Sequence, residues 1–347
     1  MARGKRFAAG MAALAAFAAL AAVLAVSVGT TRVGFGNAVA ALLGRVIPEQ
    51  DAAIISYRMA RVALAAIVGA SLSAAGVALQ AMLRNALADP YILGVSGGGA
   101  LGAALYLISG GTQSTMLTAA ATRLGFSGLA AAAFAGSLAA SGVALLAGRK
   151  KGHILPGTLL LVGVMVNALA GAAILALTYV TDVAKSHSIV VWLMGNLGTL
   201  SLSKSALVGA GAVSIVLAGL LWRLGGRLNL MTLGDEAAAN LGVDVGRTRL
   251  EAFVLSALMT GLSVALAGPI GFVGLVVPHA TRSIVGADHR FLFPAAVVAG
   301  AAFLVLADAA ARSIRPGVEL PVGILTAVIG APVFIWILRS RRGRYFE

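Results

Sequence analysis

Long apolar blocks separated by short polar breaks run the length of this chain. About 20 apolar residues in a helix cross a hydrocarbon layer of roughly 30 Å. Ten blocks read as such spans: residues 7–28, 62–83, 92–108, 127–147, 156–179, 205–222, 250–267, 270–285, 291–311 and 320–338. The pattern is sharpest from Arg58 to Gly102, where charge is confined to Arg58, Arg61, Arg84 and Asp89. Val62–Leu83 supplies one span, and Asp89-Pro90 then forces a turn, because proline lacks an N–H donor and disfavours helix in the residue before it. The seventh and eighth blocks are parted only by Gly268-Pro269, but together they are too long for one crossing. Residues 30–57, with Pro48, Glu49 and Asp51, read as a polar-to-amphipathic connection that cannot span. The basic Met1–Arg6 and the apolar run to Val28 have the outline of a secretory leader. That run exceeds the usual apolar core of about 7 to 15 residues and no clear cleavage site follows, so an uncleaved first helix is expected.

Composition fixes the class. Of 347 residues, 60% are hydrophobic and 11% charged, whereas soluble domains are about a quarter charged. An all-α polytopic membrane protein is expected, one transmembrane domain over residues 1–347. The 44 glycines and abundant alanines predict close helix packing, since lipid offers no hydrophobic force between helices and small residues let backbones approach. The absence of cysteine excludes disulfides and thiolate metal sites. His153, His187, His279 and His289 have no ligand spacing, which argues against a bound metal ion.

A net charge of +14 would suit a nucleic-acid binder if the basic residues were not distributed by side. In a ten-span topology, 17 of the 26 lysines and arginines fall on the side that holds both termini and 9 on the other. The positive-inside rule makes the richer side, and both termini, cytoplasmic. No nucleic-acid partner is expected, while membrane lipid is. Val162-Gly163 and Val322-Gly323 open matching spans in two sets of five, the mark of an inverted five-helix repeat.

Within the cytoplasmic loop 223–249, Asp235 and Glu236 stand where a helix N-terminus favours anions, alanines follow, and Gly242 suits a C-terminal cap. A short helix for docking another protein is expected there. Gly97-Gly98-Gly99-Ala100-Leu101-Gly102 matches G-x-G-x-x-G, but it opens an apolar span with no preceding strand, so helix packing is the better reading. No phosphate-loop motif occurs. Asn167 interrupts an apolar span, and interhelical hydrogen bonding is its commoner role. Trp192 is expected as an interfacial anchor.

The runs Arg58-x-x-Arg61, Leu79 to Ser96, Leu233 to Ala238 with Leu241-Gly242-Val243, Gly268 to His279, and Glu319 to Gly323 resemble the iron-chelate and cobalamin permeases of binding-protein-dependent ABC importers. The family often has proline where this chain has Ala60 and Ala86. The resemblance implies a ten-helix subunit of a bacterial inner membrane that forms a homodimer, engages two ATPase subunits inside and receives a periplasmic binding protein outside. ATP and Mg would be bound by the partner, with no cofactor in this chain. Coupling to the ATPase would fall to Gly234, Asp235, Glu236, Ala237, Ala238, Leu241 and Gly242. Docking of the binding protein would fall to Arg58, Arg61 and Arg312, whose guanidinium forks suit carboxylates. Lipid anchoring, or for Arg312 a pair with Asp308 one turn away, is the alternative. The pathway would run by Val166, Asn167 and Gly171. A secondary transporter driven by ions is the rival; it needs intramembrane carboxylates, and only Asp308 comes near.

Overall fold

The structure, a computed structural model, describes residues 2–29, 33–45, 47–111, 122–123, 125–150, 153–198, 202–314 and 319–340. Among the charges used above to orient the chain, Arg32, Lys151, Arg315, Arg341, Arg342 and Arg344 lie outside the described residues.

The helices in order are α1 (Ala2–Ser27), α2 (Phe35–Leu42), α3 (Glu49–Met82), α4 (Val95–Ile108), α5 (Gly128–Ala147), α6 (Pro156–Val180), α7 (Val183–Leu193) and α8 (Lys204–Arg223). They continue with α9 (Gly225–Met231), α10 (Asp235–Asn240), α11 (Val245–Ala267), α12 (Val273–Val285), α13 (His289–Ala311) and α14 (Val322–Ser340). A 3-10 turn, Pro90–Leu93, precedes α4. Among the described residues, extended structure is confined to Arg149–Lys150 paired antiparallel with His153–Ile154.

Among the described residues seven helices are long and apolar enough to cross a membrane, and α4, α12 and α14 are shorter apolar helices. Each of the ten coincides with one of the apolar blocks, with corrected ends. The second block does not begin at Val62. Helix α3 starts at Glu49 behind Pro48, with Glu49 and Asp51 in its first turn, and its 34 residues extend about 51 Å at 1.5 Å each. Part of the supposed connection before Arg58 is therefore helix, and Phe35–Leu42 adds another. Conversely, α12 begins only at Val273, after a non-helical stretch holding Gly268 and Phe272 at positive φ.

Glycines bring the backbones together where small residues are expected to. A Cβ on Gly69 of α3 would strike the carbonyl of Gly300 on α13, and one on Gly300 the carbonyl of Gly69. Gly98 of α4 and Gly136 of α5 oppose each other in the same way, and Gly76 of α3 meets Gly274 of α12. The G-x-G-x-x-G run is thus a packing surface: Gly98 and Gly102 lie on α5, while Gly97 meets Asn167 of α6.

The apolar core forms two main clusters stacked along the helices. One gathers the end of α3 with Leu221, Leu228, Met231, Ala238 and Phe253, beside the α8–α11 loop. The other gathers Ala25, Val26, Ile55, Leu64, Leu266, Val273 and Val322 at the opposite end. Charged side-chain clusters sit at both ends, and a cleft lies between them.

Candidate functional site

At the end expected to be cytoplasmic, α10 is framed by Gly234 at φ 116° and Gly242 at φ 84°, backbone angles that suit glycine. Ala238 is buried beneath it, while Glu236, Ala239, Asn240, Leu241 and Gly242 are exposed. Leu233 and Leu241, large apolar side chains at its two ends, are 66% and 60% exposed, an apolar surface without cover in the single chain. The helix is firmly tied to the bundle. Asp235 accepts two hydrogen bonds from Nη2 of Arg249, at 2.9 and 3.0 Å, and lies 3.6 Å from Nη2 of Arg84. Nη1 of Arg249 donates to the Ile154 carbonyl at 3.2 Å. One carboxylate thereby links α10 to the start of α11, the end of α3 and the strand leading into α6. Sequence reading picked out Asp235 but missed Arg249, because a cation 14 residues away gives no helical spacing to notice.

Nearby, Asp288 caps α13. Partial burial works to raise its pKa, but hydrogen bonds from the Asn229 side chain and the Arg290 amide, with the Arg290 charge, hold it below the usual carboxylate value.

At the opposite end, Arg58, Arg61 and Arg312 are buried, each less than 5% exposed. The three residues that the resemblance assigns to docking of a binding protein thus turn inward in the single chain. Arg61 donates from Nε to both oxygens of Asp308 at 2.9 and 3.0 Å, and from Nη1 to Glu319 at 2.6 Å. Arg312 donates from Nε to Asp308 at 3.0 Å and from Nη2 to the Ala25 carbonyl at 3.0 Å. Arg58 donates to the Val26 carbonyl at 2.7 Å. A guanidinium so deep needs a carboxylate or carbonyls to offset its lost hydration. The cluster pins the end of α1 against α3 and α13. The i, i+4 pair of Asp308 with Arg312 is present, whereas the Arg61 partners, 247 and 258 residues away, left no local trace.

Between the ends, a cleft of about 490 Å³ is bordered by Asp89, Tyr91, Met194, Phe272, Ile324 and Phe334. Asp89 caps the 3-10 turn by accepting from the Tyr91 amide at 2.9 Å, and accepts from the Phe272 amide at 3.2 Å. One carboxylate thus meets the starts of both helical pieces that break the bundle. Phe272 holds φ 70°, a strained value for a side chain of its size, and its ring packs on Gly330 of α14. Of the three expected pathway residues, none borders this cleft. Asn167 donates to the Tyr91 and Ile92 carbonyls at 2.9 and 3.3 Å and accepts from the Gly97 amide at 3.0 Å, clamping α6 to the turn before α4. Val166 packs on Gly94, and Gly171 faces open space. Trp192 is partly buried against alanines of α4 and α5. Among the described residues no group of three or more His, Cys, Asp and Glu is placed to hold a metal ion.

Apolar helices long enough to span, glycine-mediated packing, a capped helix tied to three elements at one end and a cleft at the helix breaks together define an integral-membrane transport subunit. The chain belongs to the FecCD transport family, whose model matches residues 17–340. It is 40% identical over 291 residues to the hemin transport system permease protein HmuU of Yersinia pestis, 84% of each chain. It is 41% identical over 310 residues to the cobalamin import system permease protein BtuC of Halobacterium salinarum, 88% of this chain and 79% of that protein. A solved structure of a metal-chelate type ABC transporter in an inward-facing conformation superposes with TM-score 0.79 at 30% identity, over 96% of this chain and 99% of that one. The chain is accordingly a permease subunit of an ABC transporter, and the ion-driven reading has no support.

Proposed function

We propose that this chain is the membrane subunit of an importer for an iron chelate, haem or a corrinoid, the cargoes named for its relatives. It works as a homodimer in a bacterial inner membrane, takes substrate from a periplasmic binding protein and is driven by two ATPase subunits. Ten spans with both termini inside fit the ten apolar helices, and the repeat is supported by matched irregularity. The third apolar helix of each half is short, and each follows a residue at positive φ, Gly94 and Phe272.

The observation that carries the reading is α10. It offers exposed apolar ends to a partner while its half-buried Asp235 carboxylate, held by the buried Arg249 and by Arg84, reaches neighbouring elements. A push on α10 is passed to α3 and α11, and α3 and the turn after it border the Asp89–Phe272 junction. Binding-protein contact would involve surfaces around the Arg61 cluster, with the three arginines fixing their shape. Pathway residues would include the Asn167 clamp beside the Asp89 cleft.

The test is purification of the tagged chain with its cognate ATPase, followed by uptake into proteoliposomes supplied with binding protein and haem, a ferric siderophore or cobalamin. Uptake of one of these that requires ATP is expected. Uptake driven by a proton or sodium gradient without ATP would overturn the proposal.

A further inference from the structure

A groove of about 600 Å³ lies between the end of α8 and the start of α11, beside the α10 end of the molecule. Leu220, Leu250 and Val254 form an apolar floor, and Arg223, Arg227 and Arg247 stand at the rim with Glu251. Glu251 accepts from Nε of Arg247 at 2.8 Å and from Nη1 of Arg227 at 3.3 Å. Asp244, just outside, caps α11 through the Arg247 amide. Arg223 makes no ion pair among the described residues, so the rim holds three guanidiniums against one carboxylate.

Val213, Val216 and Leu220 continue the groove up α8 at helical spacing, 49%, 61% and 39% exposed. Arg223 and Arg227 follow on the same stripe. Apolar surface leading into surplus cationic charge matches a lipid, acyl chain above and phosphate below. We infer that this groove binds an anionic phospholipid, its phosphate held by Arg223 and Arg227 and one acyl chain lying along Val216 and Leu220. Guanidinium forks suit phosphate oxygens, and basic pockets between spans on the cytoplasmic side select anionic headgroups. Glu251 limits the surplus and spaces Arg227 and Arg247 around the headgroup.

The test uses Trp222, one residue before Arg223, whose indole N–H is fixed on the Arg290 carbonyl at 2.8 Å. With Trp192→Phe and Trp336→Phe in the background, the full chain is placed in nanodiscs of phosphatidylcholine doped with brominated phosphatidylglycerol or brominated phosphatidylcholine. Quenching should favour phosphatidylglycerol on the order of tenfold, from two surplus charges. Arg223→Gln with Arg227→Gln should reduce the preference to about twofold or less. Arg223→Lys should keep it, and Glu251→Gln should increase it. Because Arg223 has no ion pair to lose, a normal size-exclusion profile is expected for its single variants. Equal quenching by the two lipids, or a preference unchanged in the double variant, would overturn the proposal. So would competition by soluble glycerol phosphate, which would mark a site for free anions, or shielding of Trp222 from both lipids, which would mark a protein-covered surface.

Discussion

Replacing Asp308 with Asn tests whether the arginine cluster is structural. Asp308 is 1% exposed and serves two guanidiniums, Arg61 and Arg312, each within 3.0 Å. At an effective dielectric near 20, each pair carries about 4 kcal/mol of gross attraction at 4 Å, much of it offsetting desolvation. Removing one charge while its partner stays buried typically costs about 3–5 kcal/mol. Arg61 keeps Glu319 and Arg312 keeps the Ala25 carbonyl, so the loss stays within that range rather than doubling. With about 2–4 °C per kcal/mol for a large domain, Asp308→Asn should lower the melting temperature in detergent by on the order of 10 °C. Glu319, whose side chain is 39% exposed, should matter far less when changed to Gln, about 1 kcal/mol. Arg312→Met added to Asp308→Asn should restore part of the loss by removing an uncompensated cation. Fluorescence-detected size exclusion after heating reads all three. Equal shifts for Asp308→Asn and Glu319→Gln, or a loss below about 1 kcal/mol for the former, would refute the reasoning. On the same logic, Arg61→Glu would set a third carboxylate against Asp308 and Glu319, so the charge reversal natural for a docking residue should instead cost folded protein.

Three further outcomes are expected. Arg249→Ala, which frees Asp235 and the Ile154 carbonyl, should leave the ATPase bound but cut binding-protein-stimulated hydrolysis at least tenfold relative to basal hydrolysis, measured in proteoliposomes; equal losses in both would point to assembly instead. Gly300→Leu, which drives a side chain into the Gly69 carbonyl, should destabilise by about 3 kcal/mol or more, and thermal melting checks it. Asn167→Leu removes the partner of the Gly97 amide and should cost about 1–3 kcal/mol while reducing transport, the two read by melting and by uptake.

Local signals in the sequence carried what local physics determines. Apolar blocks became apolar helices, seven of them of spanning length among the described residues, Gly234 and Gly242 bounded α10, and the glycine run packed helices. The amphipathic start of α3 escaped hydropathy because residues 49–61 mix charges with apolar positions, although Pro48 and the acids after it are a helix-start pattern. The Asp89–Phe272 bond joins residues 183 apart, and the Arg61–Asp308 bond residues 247 apart. Such pairings arise only when spans meet, and no periodicity encodes them. The burial of Arg58, Arg61 and Arg312 was illegible for the same reason: charge suggests a surface, and only the fold reveals that carboxylates and helix-end carbonyls surround them.

Engagement of the ATPase at α10, as proposed, can be read directly by cross-linking. The chain has no cysteine, so Ala239→Cys places one thiol on the exposed side of α10. With a short bifunctional maleimide and a cognate ATPase carrying one surface cysteine around its nucleotide domain at a time, a cross-linked band is expected from Ala239→Cys, and none from Gly142→Cys on α5. Cross-linking at Gly142→Cys in an active complex, with none at Ala239→Cys, would contradict the account.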